Sequence, residues 1–105
     1  MSRRAIPKAN SPAVRSQALV LHPDDNVATA LTALSTGARV PLQGGEAGAS
    51  VTLREPIGLC HKFALRDIAA GDVIVKYGEA IGRATCAITC GAHVHTHNLV
   101  SARGR

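Results

Sequence analysis

From His61 to Val100 the sequence reads HKFALRDIAAGDVIVKYGEAIGRATCAITCGAHVHTHNLV, a series of short apolar runs, each cut off by a glycine-containing turn. A surface helix needs an apolar stripe sustained over several turns, whereas a strand needs only a few residues. Short segments with a turn signal every several residues therefore predict a compact, irregular, mainly β domain with little helix. DVIVKYG and HVHTHNLV are strand-like, and RDIAAGD is a turn between strands. No internal repeat is visible. Apolar residues make up 46% of the chain but aromatics only 2%, with Phe63, Tyr77 and no Trp, so the core must be built from Val, Leu, Ile and Ala. Aromatic platforms carry much of single-strand and RNA recognition, and their scarcity argues against a nucleic-acid module of that kind.

The first half of the chain is less regular. MSRRAIPKANSPAVRSQ mixes basic residues with Pro, Ser and Asn and has no apolar period, so residues 1–16 are expected to be a disordered basic tail. ALVLHPDDNVATALTALSTGARV then predicts a short strand over Ala18 to Leu21, a turn at His22-Pro23, and one short helix. Asp24 or Asp25 would cap that helix, Val27, Ala30, Leu31 and Leu34 would share a face, and Gly37 would end it. Gly44, Gly45 and Gly48 mark a mobile hairpin loop before a strand around Val51 to Leu53. At 105 residues the chain is one domain, expected over 17–100, with 101–105 as a basic C-terminal tail.

The net charge of +5 is concentrated at the ends. Arg3, Arg4, Lys8 and Arg15 at the start and Arg103 and Arg105 at the finish are six of the twelve basic residues; the other six face seven acids, so the domain itself is nearly neutral. Solvated tails are the simplest reading. No apolar run approaches the roughly 18 residues of a membrane span, and no apolar segment follows the basic N-terminus as a secretory signal would require. The expected location is the cytoplasm, with no membrane partner. Three cysteines, Cys60, Cys86 and Cys90, do not form a disulfide framework.

The chemistry-bearing stretch is GAHVHTHN. If it is extended, His93, His95 and His97 share a face, opposite Val94, Thr96 and Asn98. Three imidazoles one strand step apart cannot all reach one ion without a bend; two can, with a third ligand from elsewhere. Such a set with an open position suits Zn, Fe or Mn, which activate water or polarise a substrate oxygen. The bland alternative is a polar strand end with solvated histidines. A structural zinc site competes for the same residues, since Cys86 and Cys90 are separated by three residues and His93 and His95 follow. Elsewhere His61 can serve as acid or base, and Lys62 and Lys76 can hold a carboxylate. Tyr77 before Gly78 can simply cover the core with its hydroxyl in water.

The run IGLCHKFALRDIAAGDVIVKYGEAIGRATCAITCGAHVHTHNL, residues 57–99, resembles the SAF-domain segment of the altronate dehydratase and galactarate dehydratase family. The likeness rests on the His61-Lys62 pair, on Arg66 to Ile68 with Gly71, and on Lys76-Tyr77-Gly78 with Ile81-Gly82. It continues through Gly91, His93, Val94, His95, His97 and Asn98. Cys60 departs from the pattern, which has Gly or Pro-Gly before the His-Lys pair. The resemblance implies a β-clip fold and the small-subunit form of a hydro-lyase that works with a large dehydratase subunit on a sugar-acid carboxylate. It further implies a divalent metal such as Fe or Mn held by His93, His95 and His97, with His61 as the catalytic acid or base. Lys62, Lys76, Tyr77 and Asn98 then fall at the substrate. Two alternatives accompany this reading: the alpha subunit of a sulfolactate sulfo-lyase, and a non-catalytic SAF-fold module that binds metal or a partner.

Overall fold

The computed structural model describes residues 17–44 and 49–101, which form nine short strands and no helix. The expected basic tail 1–16, the tip of the glycine-rich loop and residues 102–105 lie outside the described residues. A central sheet has the order β1-β2-β5-β8, built from β1 (Ala18–Leu19), β2 (Val27–Ala30), β5 (Lys62–Ala64) and β8 (His93–Val94). A hairpin pairs β3 (Arg39–Pro41) with β4 (Ser50–Thr52), and a three-stranded sheet joins β6 (Val73–Lys76), β7 (Glu79–Ala84) and β9 (Leu99–Ser101). All strand pairs are antiparallel. Strand β9 runs on through Ser101, one residue past the expected domain boundary.

Both faces of the central sheet are buried, because alternate residues of each strand feed opposite cores. Ala28, Ala30 and Phe63 pack with Leu34, Val40, Val51, Leu53 and Ile57 on one face. Val27, Ala64 and Val94 pack with Ile68, Ile74, Ala84 and Ile88 on the other. Phe63, fully buried, is the largest side chain in either core. Replacing such a group by Ala costs about 3–5 kcal/mol.

This two-sided burial corrects the expected helix. All four residues of β2, Val-Ala-Thr-Ala, are buried, so no polar alternation marks them as a strand. The spacing of Val27, Ala30, Leu31 and Leu34 mimics a helical stripe, yet Leu31 is 39% exposed in a bend and Leu34 enters an isolated bridge with Ile57. Asp25 caps nothing helical. It is buried and accepts the Gly78 N–H on Oδ1 at 2.8 Å, while Asn26 bonds Val73 and Val75 of β6 through both ends of its amide. These two residues fasten the β6–β7 hairpin to the central sheet.

The backbone does repeat, although the sequence does not show it. Among the described residues, segments 31–41, 54–64, 65–75 and 85–94 follow one course of bend, isolated bridge, tight turn and strand. Their bridges pair them two by two, Leu34 with Ile57 and Ile68 with Ile88. Each turn is closed by a bond across three residues, from Ala38 N to Ser35 O, His61 N to Gly58 O, Asp72 N to Ala69 O, and Ala92 N to Thr89 O. The third turn position has positive φ in every case, occupied by Gly37, Cys60, Gly71 and Gly91 with φ of 83°, 68°, 87° and 86°. A type II turn requires that sign, which a side chain opposes. Cys60 thus holds the strained position in a turn whose three counterparts carry glycine.

Cys60→Gly is expected to relieve that strain, offset in part by the greater freedom of an unfolded glycine, for a net gain of about 0.5–1 kcal/mol. Urea unfolding of the full chain would measure it; an unchanged or lowered midpoint would mean that Cys60 is not strained.

Candidate metal and substrate site

Strand pairing assembles the site. Lys62 lies opposite Val94 and Phe63 opposite His93, so the same register carries His61 to the side of His95. The His61 and His95 rings stack with centroids 4.2 Å apart, and His93 lies 5.0 Å from His61 and 5.3 Å from His95, all near-parallel at 12°. His61 Nδ1 and His93 Nε2 are 2.8 Å apart, a hydrogen bond in which one nitrogen carries the proton. One nitrogen from each of His61, His93 and His95 lies within 4.8 Å of the others.

The extended HVHTHN strand expected from the alternating pattern is corrected: β8 covers only His93–Val94, and the chain then turns. Asn98 makes the turn. Its Oδ1 accepts the His95 N–H at 2.9 Å, its Nδ2 donates to the His93 carbonyl at 2.9 Å, and its own N–H donates to the His95 carbonyl at 3.1 Å. Asn98, expected at the substrate, is buried with both amide ends on backbone, so it shapes the histidine segment. His97 swings outward, exposed, its ring tilted by 33° at 5.3 Å from that of His93. The set that converges therefore holds His61 where His97 was expected.

Lys62 sits on the opposite side of β5 from His61 and Phe63, half-buried beside Thr29, whose hydroxyl is buried without a hydrogen-bond partner. Burial, and then the charge of Lys76, lower the Lys62 pKa. Lys76 ends β6, with its ammonium over the Tyr77 ring at 4.8 Å. Tyr77 is 43% exposed and has φ of 56° at the hairpin tip, where Gly78 follows at 78°. Consecutive positive φ values define the tight turn that matches strand twist. Lys62 is charge-coupled both to Lys76 and to His95, although its side chain leaves the other face of β5.

The donor set fits a divalent cation. Metal ligation requires neutral imidazole. Burial, followed by the neighbouring histidines, lowers the His93 pKa, against an opposing pull from Glu55. Burial, then His61, Lys62 and His97, lower that of His95. Three nitrogen donors with open positions suit a catalytic ion. Among the described residues this is the group of side chains with metal-site geometry, and the cysteines do not join it. Cys86 is exposed, and the Cys90 thiol donates to the Leu65 carbonyl at 3.2 Å, its pKa raised by burial and then by Asp67, against Arg54. Two roles that sequence reasoning missed matter here. Glu55 accepts the His93 N–H on Oε2 at 2.9 Å, and Asp25 holds the Tyr77 hairpin tip. A lone acid in REP, and one in a DD pair, carried no signal of either role.

A protein-family profile described as the altronate/galactarate dehydratase SAF domain matches residues 16–102. The chain belongs to this family. The SAF domain is 45% identical over 82 residues to an altronate dehydratase of Escherichia coli K12, and 40% identical over 78 residues to one of Bacillus subtilis 168. Those alignments take in 78% and 74% of the chain but only 16% and 15% of the relatives, so the chain spans about one sixth of their length. A (2R)-sulfolactate sulfo-lyase subunit alpha of Paracoccus pantotrophus is 42% identical over 53 residues, covering 50% of the chain and 79% of that subunit. Among the described residues no helix is long and apolar enough to cross a membrane.

Two expectations follow. Asn98→Ala strands a donor and an acceptor in the turn and should cost about 2 kcal/mol in urea unfolding, with loss of the distinct His93 and His95 ring signals in NMR spectra. The second concerns pH. His93 and His95 titrate lower in the folded chain than the ordinary imidazole value of about 6.5, so just below that pH the unfolded chain binds more protons. Stability of the metal-free chain should be full above about 6.5 and fall as pH drops toward the depressed folded values. Thermal melts across pH 5–8 would show it, and a flat profile would contradict it.

Proposed function

We propose that this SAF domain is the small subunit of a sugar-acid hydro-lyase, removing water from an aldonate to give a 2-keto-3-deoxy acid together with a large dehydratase subunit. The observation that carries this reading is the convergence of His61, His93 and His95. The proton next to a carboxylate is too weakly acidic for an unaided side chain to remove. A divalent ion such as Fe or Mn, when bound, would supply the charge that stabilises the developing enolate. His61, His93 and His95 would hold it, Lys62 with Lys76 would attract the substrate carboxylate, and His97 is the neighbouring imidazole left to carry a proton. Leu59, 59% exposed in the turn that ends at His61, offers apolar surface to a covering partner.

A second reading has its own support. The chain spans most of the length of the sulfo-lyase alpha subunit, which favours elimination of sulfite from sulfolactate by the same kind of chemistry. Reconstitution with a large subunit encoded beside this chain, assayed on altronate and on sulfolactate, separates the two. His93→Ala and His95→Ala are each expected to lower bound divalent metal and to reduce turnover at least about a hundredfold. Unchanged metal content and turnover would remove the imidazole set from the mechanism. A chain inert with every partner and unaffected by chelators would leave the non-catalytic module.

A further inference from the structure

Strand β8 lies at the edge of the central sheet, with β5 on one side and, among the described residues, no strand on the other. An edge strand leaves alternate N–H groups without a ladder partner. His93 has such an outward N–H, and Glu55 Oε2 accepts it at 2.9 Å. The neighbouring rung is backbone to backbone, from Arg54 N to Gly91 O at 3.0 Å. A side chain at Gly91 would collide with the Thr52 carbonyl, so the backbone leading into Glu55 is pressed against the segment leading into His93.

A neutral amide or a backbone carbonyl would satisfy the His93 N–H equally well. The carboxylate adds a negative charge, and among the described residues no lysine or arginine lies within ion-pair distance of it. Its second oxygen likewise has no hydrogen-bond partner among the described residues. Nor does Glu55 belong to the set of donor atoms within 4.8 Å of one another, which consists of His61, His93 and His95. A half-buried carboxylate with no lysine or arginine at ion-pair distance among the described residues, held to the backbone of one member of the three-imidazole set, puts a negative charge just outside the donor atoms.

We propose that Glu55 is a positioning residue of the imidazole site: it fixes His93 through its backbone and supplies the negative charge that favours a divalent cation on His61, His93 and His95. This rests on the reading of those three residues as a cation site. Glu55→Gln is the informative substitution, since it keeps an acceptor for the His93 N–H and removes only the charge. Manganese(II) binding to the full chain would be measured by calorimetry for the wild type, Glu55→Gln and His93→Ala, with a metal-free melt of each. The expected result is a Glu55→Gln chain that melts like the wild type but binds manganese(II) about tenfold more weakly, while His93→Ala loses most binding. Equal affinity in wild type and Glu55→Gln would overturn the role of Glu55 and leave the cation site standing. A Glu55→Gln chain without a cooperative melt would also overturn it, by making the carboxylate part of the fold. A wild type that binds no manganese(II) would overturn the cation reading and the inference with it.

Discussion

The antiparallel pairing of β5 with β8 is the constraint on which the site depends. Phe63 and His93 are cross-strand neighbours, and so are Lys62 and Val94. Side chains alternate along a strand, so this register sends Phe63 to one core and Val94 to the other, and stacks His61 on His95 at the strand ends. A slip of β8 by one residue would turn His93 toward the core that Val94 fills and take Val94 out of it. The core therefore enforces the register, and the register builds the site. The cost of losing the buried Val94 side chain, about 1.5–3 kcal/mol, holds His93 and His95 in register with His61.

Much of this was legible in the sequence, and what was missed has physical reasons. Short apolar runs with glycine turns gave the β class, and the histidine segment held two of the three residues that converge, His93 and His95. The helix expected after Asp25 failed because β2 is buried on both faces, which erases the alternation that distinguishes a half-buried strand, and a chance stripe of Val27, Ala30, Leu31 and Leu34 took its place. The repeated turn was invisible for another reason. Its geometry asks only for an apolar residue at the bridge and a residue tolerating positive φ three places on, as in Leu34 with Gly37 and Ile68 with Gly71. Two positions in about eleven residues leave no readable repeat, and Cys60 hides one of them. The convergence of His61 with His93 lay beyond the sequence because it is fixed by register across thirty-two positions.

The hairpin tip shows a second coupling between strain and placement. Tyr77 adopts a left-handed conformation that a β-turn of this kind usually gives to Asn or Gly. Asp25 holds that turn by the Gly78 N–H, and the His22 ring lies so close to Gly78 that a side chain there would push it aside. Asn26 then ties β6 by two further bonds. Buried polar groups of the β1–β2 turn thus set where Lys76 and Tyr77 stand relative to Lys62. Strain of about 1–2 kcal/mol at Tyr77 persists because these bonds over-determine the turn.

The charge balance of the site follows from the same placements. Imidazole donors bring no negative charge, so a dication held by them would keep its full charge, and Lys62 adds a positive potential that reaches His95. On the proposed reading that potential favours a carboxylate substrate, but unrelieved it would also oppose the cation itself. A carboxylate in direct contact would weaken the ion as an electrophile and fill one of its open positions. On the same reading Glu55, one hydrogen bond removed through the His93 backbone, would relieve the repulsion while leaving the ion with imidazole donors and room for substrate oxygens. An outer acid and a nearby lysine would then let one small domain favour a cation and an anion at neighbouring points.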